Sequence, residues 1–432
     1  MFPPRSAYLH IPFCHRRCFY CDFAVVPLGD RAGSGSGQPG AASIARYLTL
    51  LRREIAASPP GPPLSTVYLG GGTPSLLSPA QVGGLLESLA ARYGLAPGAE
   101  ISLELDPASF DQQRLAGYLA AGINRVSLGG QSFDDAVLSS LGRRHRRSDL
   151  LAAIAWLRAA QQRGRLASWS LDLIEALPAC EGHSEAPDLA HWRHQLQQAI
   201  ASGAPHLSIY GLSVESGTVF GKRAERHALI LPSDDLAADQ HELTSQQLAA
   251  AGFGRYEISN HAQPGHASRH NRAYWSGANW WAFGLGATSA TGGQRLARPR
   301  TRDAYTSWVE ALEQRPERRL SVPSRSCADQ AEATRLPLDE RLLVGLRRRE
   351  GVAMETLLRQ AGLGRTHQQD LQALLEPERQ QGLLLIEGPR WRLSAPAGLA
   401  LSNAVLVKLL SWWERVGPPP TGAGPAGPAG AG

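Results

Sequence analysis

Residues 8–23 read YLHIPFCHRRCFYCDF, a short apolar run followed by Cys14, Cys18 and Cys21 in a C-x3-C-x2-C spacing. Iron–sulfur clusters are held by cysteine thiolates, and a four-iron cluster takes one ligand per iron, so three close cysteines leave one iron open. An open position is what separates catalytic metal sites from closed structural ones. The alternatives are a zinc site completed by His10 or His15, or three unrelated thiols. Zinc sites usually pair two knuckles, and the chain holds no second C-x2-C, which makes zinc the weaker reading.

Outward from this stretch, composition sets the class. At 432 residues the chain exceeds the size at which one core stops growing, which predicts two folded domains plus appendages. Hydrophobic residues make up 43%, and the 45 Gly and 30 Pro gather at recognisable breaks, as in a soluble globular protein with flexible insertions. No run approaches the roughly 18 apolar residues of a membrane span, and MFPPRSAYLH has no apolar signal core, so the expected location is cytoplasmic without stable membrane insertion. Five cysteines, three of them clustered, argue for a reducing compartment and leave Cys180 and Cys327 as bystanders. A net charge of +6 from 44 basic and 38 acidic residues falls short of a nucleic-acid footprint.

The Gly, Ser and Pro content of residues 27–43 predicts a flexible excursion. Strand-like runs then recur at SAYLHI, TVYLGG, EISLELDP, NRVSLGG, WSLDLIEALP and HLSIYGL, separated by helical segments such as PAQVGGLLESLAARYG and DLLAAIAWLRAAQQRG. Strands alternating with helices imply βαβ units and a parallel sheet. Six units predict an open partial (βα)6 TIM-like barrel with its site at the C-terminal strand ends. There lie Gly70, Gly71, Gly72 and Thr73, then Glu104, Gln131 and Asp172. GGGTP lacks the dinucleotide spacing G-x-G-x-x-G and reads either as a plain turn or as a place where a ligand approaches the backbone. On the second reading, a side chain at Gly71 would fill space meant for the ligand.

These segments occur together in a known order. YLHIPFCHRRCFYCDF, GGGTPS, the Glu of LELDP, the Gln of GGQSF, LGRRH and DLIEALP resemble the oxygen-independent coproporphyrinogen oxidase-like branch of the radical S-adenosylmethionine (SAM) superfamily, closely over about residues 6–290. The resemblance implies a 4Fe-4S cluster on Cys14, Cys18 and Cys21, with Tyr20 as the aromatic before the last cysteine. It places Tyr8, Gly71 and Glu104 at one SAM molecule. Tyr20, Gly72, Thr73, Gln131, Arg143 and Asp172 then line the rest of that pocket, or a second SAM. Within the branch the chain is most similar to the HemW family of heme chaperones. Oxidases carry a further Cys two residues after the third, where Phe23 stands, and an extended segment before the first, where Cys14 lies near Met1. The heme chaperones carry HNxxYW, matched by His270, Asn271, Tyr274 and Trp275. A His beside Tyr and Trp suits heme, although such a residue on its own is more often a packed core histidine.

The resemblance thus implies heme as a further cofactor, heme-acceptor proteins as partners, no coproporphyrinogen oxidase activity and no nucleic acid, and it admits a dimer. The rival readings are an oxidase that decarboxylates coproporphyrinogen III, and a zinc-stabilised regulator. Three positions depart from the branch pattern: Gly130 for Val, Ser268 for Cys and Thr288 for His. The expected organisation is a barrel core over 1–232, an extension carrying HNRAYW over 233–298, a small C-terminal α+β winged-helix-like domain over 299–416 and a disordered Gly/Pro/Ala tail over 417–432.

Overall fold

The structure is a computed structural model that describes residues 3–29, 39–180, 185–314 and 337–417. Most of the Gly/Ser-rich excursion, the segment with Cys327 and nearly all of the tail lie outside the described residues. Six strands arise where the sequence alternates apolar and polar residues or runs apolar: β1 (Ser6–Ile11), β2 (Leu64–Gly71), β3 (Leu95–Leu105), β4 (Arg125–Gln131), β5 (Ser168–Glu175) and β6 (His206–Gly211). Helices α1 (Pro39–Ala57), α2 (Pro79–Tyr93), α3 (Gln112–Ala120), α4 (Asp135–Ser140), α5 (Arg147–Gln162) and α6 (Leu189–Ala201) fall between them. Their starts are set locally: the Ser78 hydroxyl accepts the Gln81 N–H while the Gln81 side chain accepts the Ser78 N–H, a capping box that opens α2.

Beyond β6 follow α7 (Val219–Glu225), α8 (Asp234–Ala250), β7 (Gly254–Arg255), β8 (Asn260–Ala262), α9 (Arg269–Trp275), β9 (Trp281–Phe283), the hairpin β10 (Thr288–Thr291) and β11 (Gln294–Ala297), and α10 (Arg302–Gln314). The sheet order is β9-β1-β2-β3-β4-β5-β6-β8-β7, parallel from β9 to β6 and antiparallel at β8 and β7. The edges β9 and β7 do not pair with each other, so the barrel stays open. Side chains alternate across each strand. Leu9, Val67, Leu69, Leu103, Leu128, Leu171 and Leu207 belong to the buried apolar cluster shared with Leu85, Leu89, Leu157 and Leu196 of the helices. Tyr68, Glu104, Ser127 and Asp172, on the opposite register, are left for the interior.

The chain divides into two compact units, Met1–Leu336 and Pro337–Gly432. Helix α10, grouped by sequence with the C-terminal region, packs in the first unit because α1 holds it. The Glu54 carboxylate is fully buried and accepts from Arg298 Nε at 2.9 Å, the Tyr305 hydroxyl at 2.5 Å and the Gly284 N–H at 2.8 Å. At the surface Arg53 makes a bidentate pair with Glu313. The second unit comprises α11 (Leu338–Leu346), β12 (Val352–Ala353), α12 (Met354–Gln360), α13 (Arg365–Leu374), α14 (Glu376–Gln380), β13 (Leu384–Glu387), β14 (Arg390–Leu393), α15 (Ala397–Ala400) and α16 (Ser402–Val416). Its antiparallel sheet, in the order β12-β14-β13, packs around the fully buried Trp391.

The Glu54–Arg298 pair makes a prediction. Removing one partner of a buried pair strands the other charge. Glu54→Ala should therefore lower the unfolding free energy by roughly 3–5 kcal/mol. Arg53→Ala, which removes a pair whose arginine is 41% exposed, should change it by less than about 1 kcal/mol. Urea denaturation of both variants checks the contrast.

Candidate functional site

The three cysteines sit on a loop clasped at its base. Cys14 ends a short strand, Phe13–Cys14, that pairs in parallel with Val26–Pro27. Backbone bonds from Val26 N–H to Pro12 O (2.7 Å) and from Leu28 N–H to Cys14 O (2.8 Å) close the loop. Its far side docks on the LGRR segment: Phe19 N–H donates to Leu141 O (3.0 Å), and Arg16 donates to the carbonyls of Gly142 (2.7 Å) and Arg143 (2.6 Å).

The glycine turn supplies the third anchor. Gly72 N–H donates to Ile11 O at 2.8 Å and Thr73 N–H to Phe13 O at 2.7 Å. A Cβ on Gly72 would lie 2.7 Å from Phe13 O, and one on Gly71, whose φ is +114°, would lie 2.5 Å from the His10 ring. The expectation that a side chain at Gly71 would fill ligand space is therefore corrected: it would strike His10, which in turn holds Ala24 O through Nε2 at 2.8 Å and meets the Tyr8 hydroxyl through Nδ1 at 3.0 Å.

A cavity of about 450 Å³ opens at the strand ends. Cys14, Cys18, Cys21, Tyr20, Gly71, Gly72, Thr73, Glu104, Gln131, Arg143 and Asp172 all line it, so eleven residues scattered over the sequence meet at one place. Gln131 reaches it through a left-handed backbone (φ 62°), rare for a side-chain-bearing residue and typical of functional sites. Sequence reasoning missed Tyr68, Asp106 and Tyr210 on the same wall. Tyr68 was legible, since it stands two residues before Gly70 on the inward register of β2.

Burial governs the charges. It pushes the Cys14 thiol up to about 12 and raises Cys21 as well. It lifts Glu104 to about 7, against the Gly71 N–H and Tyr68 O–H that bond the carboxylate at 2.9 and 3.0 Å, and it raises Asp172. Burial would raise Asp106 too, but Arg143 at 2.7 Å and His145 hold it well below the usual carboxylate range. The same Arg143 guanidinium lies 3.6 Å from Cys18 Sγ. Among the described residues no three Cys, His, Asp or Glu side chains form a set that could hold a single metal ion. In a four-iron cluster each thiolate bonds a different iron, so the three sulfurs need not converge on one ion. Cys180 packs away from the cavity against Val137, Leu141, Ile174 and Phe220.

Five expected site residues, Tyr8, His270, Asn271, Tyr274 and Trp275, do not line the cavity. Tyr8 stacks on Tyr68 with ring centres 6.2 Å apart. His270, on α9, is fully buried, with Nδ1 at 2.9 Å from Thr66 Oγ1 and Nε2 at 2.9 Å from the Tyr274 hydroxyl. Burial pushes it down to about 3. Of the residues expected as a heme face, His270, Asn271, Tyr274 and Trp275, none lines this cavity, and both imidazole nitrogens of His270 are engaged. Two of the three departures have a local structural reason. A Cβ on Gly130 would lie 2.7 Å from Leu171 Cδ1, and Ser268 caps α9 by accepting the Asn271 N–H. The Thr288 carbonyl accepts from Trp280 Nε1 at 2.8 Å, a bond any residue could make, and the structure gives no reason for threonine there.

An open parallel barrel with three cysteines over a glycine turn defines the class: the radical SAM superfamily, whose family model matches residues 8–171. The chain is 43% identical over 309 residues to the heme chaperone HemW of Synechocystis sp., covering 71% of each. It is 35% identical over 410 residues to the heme chaperone HemW of Mycobacterium tuberculosis, covering 94% of this chain and 95% of the relative. The chain belongs to the HemW family. Among solved structures, coproporphyrinogen III oxidase (HemN) from Escherichia coli matches with a TM-score of 0.71 at 22% identity, covering 94% of this chain and 90% of that one, and so shares the fold.

Gly71→Ala tests the joint. With a Cβ forced into the His10 ring, the cysteine loop should lose its anchorage, so iron and sulfide content after anaerobic reconstitution should fall at least severalfold. Full cluster content in the variant would show that the loop stands without the joint.

Proposed function

We propose that this chain is a heme chaperone that carries heme to acceptor proteins in the cytoplasm, with a 4Fe-4S cluster on Cys14, Cys18 and Cys21 and SAM in the adjoining cavity. The observation that carries the reading is its likeness, along nearly the whole of both chains, to a protein named as a heme chaperone. The site supports the cofactor assignment, since the three thiols, the glycine turn and two half-buried carboxylates share one cavity. Glu104 and Asp172 are suited to an ammonium group or ribose hydroxyls, and Gln131 and Thr73 to further polar contacts. When bound, cluster and SAM supply one-electron chemistry; the residues supply position and exclusion of water.

The fourth cysteine of the oxidases is replaced by Phe23, which lines the cavity and is 55% exposed, and Tyr210 on the same rim is 41% exposed. Open aromatic faces suit contact with a flat macrocycle. We place the heme surface at this rim rather than at His270. Among the described residues no helix is long and apolar enough to cross a membrane.

Three substitutions test the cluster: Cys14→Ala, Cys18→Ala or Cys21→Ala should each abolish the broad visible absorbance of the reconstituted protein, while Cys180→Ala retains it. For the function, protein supplied with SAM, reductant and coproporphyrinogen III should form no protoporphyrinogen IX over many turnovers, and should bind heme in a parallel titration. Turnover of the porphyrinogen would falsify the chaperone reading. Phe23→Ser should weaken heme binding severalfold if the rim is the heme surface.

A further inference from the structure

A continuous line of contacts runs from α9 to the cavity. Tyr68 donates its hydroxyl to Glu104 Oε1 at 3.0 Å, while Oε2 accepts the Gly71 N–H at 2.9 Å. Between them Gly70 leaves no spare room, since a Cβ there would lie 2.8 Å from both Glu104 Oε1 and Tyr68 Cε1. The Tyr68 ring is held on two sides, by Tyr8 at 6.2 Å and by His270 at 5.2 Å with an interplanar angle of 24°. His270 is itself fixed. Its Nδ1 meets Thr66, two residues before Tyr68 on the same face of β2, and its Nε2 meets Tyr274. The start of α9 is pinned by Glu100, which accepts the N–H groups of His270 at 2.9 Å and Arg269 at 3.1 Å. Glu100 and Glu104 lie on one strand, so the same β3 carries the anchor of the helix and the carboxylate of the cavity.

We propose that His270 is a positioning residue for SAM: it braces the Tyr68 ring, and the Tyr68 hydroxyl sets the orientation of Glu104 in the cavity. The inference rests on the assignment of SAM to that cavity and gives the HNRAYW helix a role that needs no contact with heme. A buried carboxylate that loses one of two donors loses both orientation and part of its preference for the ionised form. His270 and Tyr274 would thus act on the cavity through Tyr68 without entering it.

The test is SAM affinity by anaerobic calorimetry from pH 6 to 9 on reconstituted parent, Tyr68→Phe and His270→Ala, with iron content and thermal melting as controls and a heme titration alongside. The groups facing Glu104 are Tyr68 from β2, Asp172 from β5, Tyr8 from β1 and Tyr274 from α9. Burial places Glu104 at about 7, so parent affinity should climb as pH rises through that value. Tyr68→Phe keeps the ring stack and removes only the donor; SAM should bind about tenfold more weakly at pH 7, with the midpoint moved to higher pH. His270→Ala should weaken SAM about three- to tenfold and leave the heme spectrum unchanged. Equal affinities in parent and Tyr68→Phe, or a uniform loss with no movement of the midpoint, would overturn the positioning role while leaving SAM in the cavity. Loss of heme binding with unaltered SAM affinity in His270→Ala would overturn it as well. Failure of the parent itself to bind SAM would instead bring down the underlying cavity assignment, and the inference with it.

Discussion

Two backbone hydrogen bonds, from Gly72 to Ile11 and from Thr73 to Phe13, join the end of β2 to the strand that leads into Cys14. They form only because the two backbones touch, and they touch only because residues 71 and 72 lack side chains. Everything the cysteine loop presents depends on this joint. The loop packs Phe19 and Tyr20 on a small apolar cluster but has no regular secondary structure of its own between its two strand ends, and a segment of that kind keeps one shape only if its ends and flanks are tied. Here the flank is tied at the glycine turn, the base by the Phe13–Cys14 and Val26–Pro27 pair, and the far side by Arg16 on the Gly142 and Arg143 carbonyls.

The barrel supplies a second constraint, which is the sorting of residues by face. Leucine and valine on the outward register fill the space between sheet and helices, and that apolar layer supplies most of the driving force for folding. The inward register is therefore relieved of a packing role and can carry Tyr68, Glu104, Ser127 and Asp172. A closed ring of eight strands would fill its centre with side chains. An open one, with edges at β9 and β7, leaves a cavity where polar groups meet.

Much of this was legible in the sequence, for local reasons. All six strands were visible because each carries a run of apolar or alternating residues bounded by Gly or Pro, and the cysteine spacing needs no tertiary knowledge. Eleven of the expected site residues meet in the cavity because a parallel barrel places its strand ends there and the cysteine loop and the LGRR segment close over them. Less legible was anything that depends on which neighbour a residue meets. The direction in which Gly71 is crowded could not be read, because His10 lies sixty residues away in the chain and meets it only through the β1–β2 register, in which Ile11 faces Gly71. The same holds for His270: a motif of His, Asn, Tyr and Trp names residue types, and only the fold decides that Thr66 and Tyr274 take both nitrogens. Helix α10 was assigned to the wrong side of the chain's division because its buried partner, Glu54, lies about 250 residues earlier.

The protonation of the cavity follows from the same burial that shapes it. Cys14, Cys21, Glu104 and Asp172 are all pushed toward their neutral forms, while Asp106, beside Arg143, is held ionised. A carboxyl whose pKa is raised on folding costs stability as pH rises from its ordinary value to the raised one, so the penalty from Glu104 accumulates up to about pH 7 and persists in full above it. A guest bearing positive charge reverses that sign, because it stabilises the ionised carboxylates that burial alone disfavours. Iron acts in the same direction on the thiols, which must shed their protons to become ligands. A cation at Glu104 and Asp172, or iron at Cys14 and Cys21, would therefore release protons from each kind of group as it binds.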